Sequence, residues 1–236
     1  MLIRLSSRLY SLYIIIDCRI LYSVVIKMKM NEYIQKIKER FMEEYGEAEC
    51  SLDYENPLEL LIATQLATQC TDARVNIVMK DIVKKYKTCE DYANADLEEL
   101  MADVKSTGFY RNKAKNIIGT CRILLEKHNG QVPSDMGALT ELPGVGRKIA
   151  NLIRGDVFEI PGIVVDTHCI RLSRRLGLTK QTEQHKIEKD LEKKIPKEYQ
   201  TLFCHQLVEH GRKYCQARTP HCEECCLGDF CRKKIK

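Results

Sequence analysis

"LPGVGRKIAN", residues 142–151, packs Gly144, Gly146 and Lys148 into one short turn. A Walker phosphate loop needs four residues between its first glycine and Gly-Lys, then Ser or Thr, and this stretch has neither. The dinucleotide fingerprint G-x-G-x-x-G/A fails as well, because Ile149 stands at its third small position. That fingerprint must also follow a buried strand, whereas "SDMGALTEL" precedes this turn. The stretch is therefore read as a hairpin between two helices, closed by Leu142 on one side and opened by Arg147 on the other.

Working outward, the apolar period is helical almost everywhere from Asn31 on. Tyr33, Ile34, Ile37, Phe41 and Tyr45 form one stripe, and Val75, Val78, Met79, Ile82, Val83 and Tyr86 another. Pro57 opens "PLELLIATQLATQ" as a first-turn proline. Asp96, Ser134 and Asp166 are placed to cap helices, and helices are expected near 182–194 and 197–210. Only "VFEIPGIVV" looks strand-like, and Pro161 with Gly162 interrupts it. The fold class is all-α.

The chain has 236 residues, 44% hydrophobic and 30% charged, which fits a soluble globular protein. Its formal charge of +5 permits a polyanionic partner without requiring one. Residues 1–30 read as an N-terminal extension. The apolar run "LYSLYIIIDCRILYSVVI" has Asp17 and Arg19 at its centre, which argues against a membrane span. No small-residue cleavage site marks a signal peptide. The extension is read as sequence ahead of a start at Met28 or Met30, dispensable for activity, with a transit peptide as the alternative.

Twelve cysteines are present, and the last five crowd "CQARTPHCEECCLGDFC". Cys215, Cys222, Cys225 and Cys231 are separated by six, two and five residues, and Cys226, a spare beside Cys225, leaves the third ligand open by spacing alone. Four sulfurs suit zinc or an iron–sulfur cluster. Zinc ribbons usually bring two C-x-x-C knuckles from separate loops, and only one such pair exists here. The wide flanking gaps suit a cubane better. A reducing compartment follows, since the spacing is that of a metal site rather than a disulfide framework.

"LPGVGRKIAN", then "VVDTHCIRLSRRLG", then C-x6-C-x2-C-x5-C, together with "LATQCTDARVN" and "STGFYRNKAKNI", resembles the endonuclease III family of helix-hairpin-helix DNA glycosylases over residues 31–232. The resemblance implies two helical domains flanking a DNA-binding cleft. One is a six-helix barrel over 50–160 that contains the hairpin; the other joins 31–49 to 161–236 and holds a [4Fe–4S] cluster on Cys215, Cys222, Cys225 and Cys231. It implies a monomer acting on damaged double-stranded DNA in the cytoplasm of a bacterial or archaeal cell, with no membrane attachment.

It also implies roles for single residues. Lys148 would attack C1′ of a flipped-out nucleotide, forming an imine and permitting strand cleavage by β-elimination. Its place at a helix start, where the dipole end is positive, favours the neutral amine. Asp166 would assist in the cleft besides capping its helix. Gln69 would fill the hole left in the duplex, and Phe109 would wedge the opposite strand. Gly144 and Gly146 would let the backbone approach a phosphate, with Leu142, Arg147 and His168 beside it. Arg111, Lys113, Lys115, Arg171, Arg174 and Arg175 are candidates for the backbone track. The activity implied is removal of oxidised pyrimidines. The alternatives are an adenine-mismatch glycosylase of the same superfamily, from which the presence of Lys148 and the chain's end at Lys236 point away, and a non-catalytic DNA-binding iron–sulfur protein.

Overall fold

A computed structural model describes residues 29–232 of the chain. Residues 1–28, nearly all of the expected N-terminal extension, lie outside the described residues. Those described form α-helices and two short 3-10 segments, with no strand among them. A helix over 29–45 (α1) is followed by α2 (Pro57–Leu66), α3 (Asp72–Lys85), α4 (Cys89–Ala93), α5 (Leu97–Asp103) and α6 (Tyr110–His128). Then come α7 (Met136–Glu141), α8 (Arg147–Phe158), α9 (Thr167–Arg175), α10 (Gln184–Glu192) and α11 (Gln200–Lys213).

Side-chain caps account for many of the helix starts, each satisfying an N–H that the helix leaves open. Pro57 is the first residue of α2, capped by Asn56. Asp96 accepts the Glu99 N–H, and Asp166 the Cys169 N–H. At α7 the cap is Asp135 rather than the expected Ser134. The short α4 had no counterpart in the periodicity, although Thr88 and Asp91 form a capping box there. The strand-like "VFEIPGIVV" divides differently from its appearance. Val157 and Phe158 finish α8, Glu159 turns left-handed at φ +53°, and the remainder runs irregularly to Asp166. Pro161 has no N–H to offer a sheet, and Ile163, Val164 and Val165 are buried against helices instead.

The buried apolar side chains fall into two cores. One is built from α2–α8, centred on Leu60, Leu61, Leu66, Leu100, Ile117 and Leu124. The other joins α1 to α9–α11 through Ile37, Phe41, Leu172, Leu191, Phe203 and Leu207. Leu152 of α8 packs against both. Polar bonds also tie the two together. Asn151 donates to Ile163 O at 3.0 Å and to Glu188 at 2.9 Å, and Arg212 pairs with Asp72 at 2.6 Å. His205 meets Asp156 at 2.7 Å.

Candidate active site

The hairpin is fixed from beneath by its own apolar residues. Leu142, Val145 and Ile149 are buried, leaving Gly144, Gly146, Arg147 and Lys148 outside. The Val145 N–H donates to Leu142 O at 3.0 Å, closing the turn. The Pro143 carbonyl accepts from Gln65 Nε2 of α2 and Thr120 Oγ1 of α6, each at 3.2 Å. Gly144 sits at φ +76°, which favours glycine, and a Cβ there would lie 2.5 Å from Asn116 Nδ2 and have to displace that side chain. Gly146 has φ −97°, and a Cβ there would meet nothing within 4 Å. The protein's own packing gives no reason for a glycine at Gly146; an approaching ligand would.

Gly146 is the N-cap of α8 and offers no side-chain acceptor. The first-turn N–H groups of α8 are therefore open to an anion, at the positive end of the helix dipole. Lys148 stands in that turn, exposed, and its amine has no hydrogen-bond or ion-pair partner among the described residues. Arg147, expected beside a phosphate, is engaged elsewhere. Its guanidinium grips Glu188 of α10 through two bonds, of 3.0 and 2.5 Å. Burial alone would raise the Glu188 carboxyl, but bonds from Arg147 and Asn151 outweigh it and hold the group below the usual range. This pair fastens the hairpin helix to the second core.

Asp166 is half-buried at the start of α9. Its Oδ1 accepts the Cys169 N–H at 2.6 Å, while Oδ2 has no hydrogen bond among the described residues. No ion pair joins it to Lys148. His168, two residues on, is half-buried, with Nδ1 3.2 Å from Arg171. Desolvation lowers its proton affinity, and it packs so close to Gly211 that a Cβ there would lie 2.3 Å from its ring. It is a packing residue in this structure.

Gln69 and Phe109 are exposed, and both hold left-handed backbone at φ +55° and +47°. Phe109 is 62% exposed, unusual for so large an apolar side chain. Backbone strain of this kind, about 1 kcal/mol or more per residue, concentrates where function demands a particular presentation.

Of the six cations expected along a DNA backbone, three are otherwise occupied. Lys113 is buried, and its amine donates to Leu66 O and Thr107 O. Arg171 and Arg175 point at the cysteine loop. Arg171 Nε donates to Cys215 O at 3.1 Å; Arg175 donates to Gln216 O at 2.7 Å and Ala217 O at 2.9 Å. In sequence they look like one face of a basic helix; in space α9 packs on the loop that follows α11, whose Cys215, Gln216 and Ala217 carbonyls accept no backbone N–H among the described residues. Arg111, Lys115 and Arg174 remain exposed.

Cys215, Cys222, Cys225 and Cys231 all line one small cavity, and Cys226 is not among its walls. A Cβ on Gly228 would come within 3.0 Å of the Cys222 and Cys225 carbonyls, so the loop is wound tightly around that space. Among the described residues no three His, Cys, Asp or Glu side chains are grouped to hold a single metal ion. The donor set and its enclosure fit a larger thiolate-bound group.

Comparison with known proteins gives the family of the chain. Residues 62–197 match the HhH-GPD superfamily of base excision DNA repair proteins. Endonuclease III of Bacillus subtilis (strain 168) is 44% identical over 214 residues, covering 90% of this chain and 96% of that protein. The Escherichia coli (strain K12) endonuclease III is 41% identical over 185 residues, covering 78% and 88%. A solved non-covalent endonuclease III–DNA complex superposes with a TM-score of 0.82 at 44% identity, covering 86% of this chain and 95% of that one. A trapped covalent endonuclease III–DNA intermediate gives 0.81 at 43%, covering 88% and 96%. With its hairpin, its unpartnered lysine and this likeness along nearly the whole length, the chain belongs to the endonuclease III family.

Proposed function

We propose that Lys148 is the nucleophile of a bifunctional DNA glycosylase and abasic-site lyase that removes oxidised pyrimidines from damaged double-stranded DNA. The observation behind this reading is the free Lys148 amine in the open first turn of α8, immediately after a hairpin shaped to meet a phosphate. The protein is a base-excision repair DNA glycosylase/lyase, and Lys148 is the group on the hairpin with the chemistry to do both steps.

The duplex would lie across the two cores as a cleft between two domains, one of residues 50–160 and one of 31–49 with 161–236. Backbone N–H groups at Gly144 and Gly146 hold a phosphate and set register without reading sequence. The target nucleotide leaves the stack, Gln69 enters the gap and Phe109 wedges the opposite strand. The Lys148 lone pair attacks C1′; the C1′–N bond breaks and the base departs with its electron pair and a proton. Opening of the sugar ring leaves a protonated imine. Loss of a C2′ proton then expels the 3′ phosphate and nicks the strand, and water releases the amine. The unpaired Asp166 Oδ2 either stabilises positive charge on the sugar or takes a proton from the lysine.

Cys215, Cys222, Cys225 and Cys231 would hold a [4Fe–4S] cluster, which ties the terminal loop as folding energy when bound. The enzyme works as a monomer in the cytoplasm, where its substrate is; no helix among the described residues is long and apolar enough to cross a membrane.

The test is borohydride reduction during turnover on a duplex with one oxidised pyrimidine. Protein should become covalently linked to DNA, and peptide mapping should place the link at Lys148. A link mapped to any other amine, or strand cleavage without trapping, overturns the assignment.

A further inference from the structure

Lys113 is the one buried lysine among the described residues, at 4% exposure, and no carboxylate faces it. It lies in the first turn of α6, where a lysine reads as a solvent-facing residue. Its Nζ instead donates to Leu66 O at 2.7 Å and Thr107 O at 2.8 Å. Leu66 ends α2, and Thr107 ends the 3-10 turn Lys105–Thr107. Both carbonyls belong to helix termini, and no backbone N–H reaches either one. Burial presses the ammonium below the usual lysine range, so its place is costly to maintain.

Those two termini lead directly into the strained residues. Leu66 is three positions before Gln69, and Thr107 two before Phe109, the pair held at φ +55° and +47°. The two segments are 40 residues apart in sequence, and one ammonium bonds both. We infer that Lys113 is a positioning residue, a tether that fixes the Gln69 loop against the Phe109 loop so that both enter the duplex in one geometry. The inference rests on the reading of Gln69 and Phe109 as the groups that invade DNA.

Three measurements on the full-length protein test it. Lys113→Met removes all donors at similar length, and Lys113→Arg keeps a cation with donors; should Lys113→Met not fold, Lys113→Gln takes its place. Single-turnover base removal from a lesion-bearing duplex, which needs extrusion, should fall about tenfold or more in Lys113→Met. Nicking of a single-stranded abasic oligonucleotide, which needs no wedge, should change less than about twofold. Lys113→Arg should recover most of the duplex rate. The cycle with Gln69→Ala/Phe109→Ala supplies the readout that a merely structural residue would not move. If Lys113 acts through that pair, Lys113→Met should cost little further in the double-alanine background. Equal losses on both substrates, or fully additive losses in the cycle, overturn the tether. If Gln69→Ala/Phe109→Ala itself leaves the duplex rate at wild-type level, the invading role of the pair fails instead.

Discussion

The hairpin and the cysteine loop carry the two groups of candidate site residues, and they are built in opposite ways. Leu142, Val145 and Ile149 root the hairpin in the first core, and α2 and α6 both bond its Pro143 carbonyl. Its shape is complete without any ligand. The cysteine loop, from 215 to 232, buries one side chain fully, Leu227. Its carbonyls lean on Arg171 and Arg175 of α9, and its thiols surround a cavity. A segment with so little apolar burial does not offset its own conformational entropy, so a cluster bound as proposed would complete the fold there. Hairpin substitutions should therefore separate chemistry from stability, whereas loop substitutions should join the loss of metal to loss of local structure.

Lys148→Gln should have the largest effect. Removing a covalent nucleophile costs about 10⁴-fold or more in rate, and imine trapping should vanish with it. Thermal stability should stay close to wild type, because the side chain is exposed and has no hydrogen-bond or ion-pair partner among the described residues. Binding to abasic duplex should persist, since the phosphate grip belongs to the backbone. A large fall in melting temperature would show that the hairpin is not preformed, and the contrast with the loop would collapse.

Cys222→Ser should come next. Iron content, expected at about four per chain for a cubane, should fall sharply, and the terminal loop should become the preferred site of proteolysis. Zinc at one per chain in the wild-type protein, without iron, would refute the cluster. Arg175→Met should act more gently, through the loss of charge-assisted bonds to the Gln216 and Ala217 carbonyls. Each such bond contributes about 1–2 kcal/mol where partly buried and less where exposed. Faster hydrogen exchange in 215–221 with iron still bound is the expected signature. Unchanged exchange there would mean that the cluster alone shapes the loop.

The same contrast explains what could be read from the sequence. Helical stripes, caps at Asn56, Asp96 and Asp166, and the hairpin were legible because they are local: each depends on residues within about one turn. The grouping of four cysteines about one cavity was legible because their spacing is also local. Arg147, Arg171, Arg175 and Lys113 have partners within the fold that the sequence did not disclose, for a common reason. Each is a long cation on a helix with at least one partner 40 or more residues away in sequence. Local pattern assigns such residues to the solvent face, and only tertiary packing reveals the carboxylate or bare carbonyl they serve. Lys113 left one clue, a lysine directly before Ala114 in the core stripe of α6, which periodicity alone does not decode.

The smallest effect should belong to Cys226→Ser. Spacing alone left Cys225 and Cys226 as rivals for the third ligand position. The structure separates them: Cys225 lines the cavity with Cys215, Cys222 and Cys231, whereas Cys226 does not. Both sulfurs lie beside His210, Cys225 Sγ 3.6 Å from Nε2 and Cys226 Sγ 4.0 Å from Nδ1, the ring atom already bonded to Tyr45 at 2.8 Å in the packing between α1 and α11. Serine in place of Cys226 exchanges one small half-buried side chain for another, at a cost of about 1 kcal/mol or less. Full iron occupancy and wild-type nicking are expected for Cys226→Ser, set against loss of iron in Cys225→Ser. If the two variants lose iron alike, both sulfurs serve the cluster in turn, and the loop is less fixed than its enclosure of one cavity implies. If only Cys226→Ser loses it, the ligand is Cys226, and residues 225–227 must rotate when iron binds.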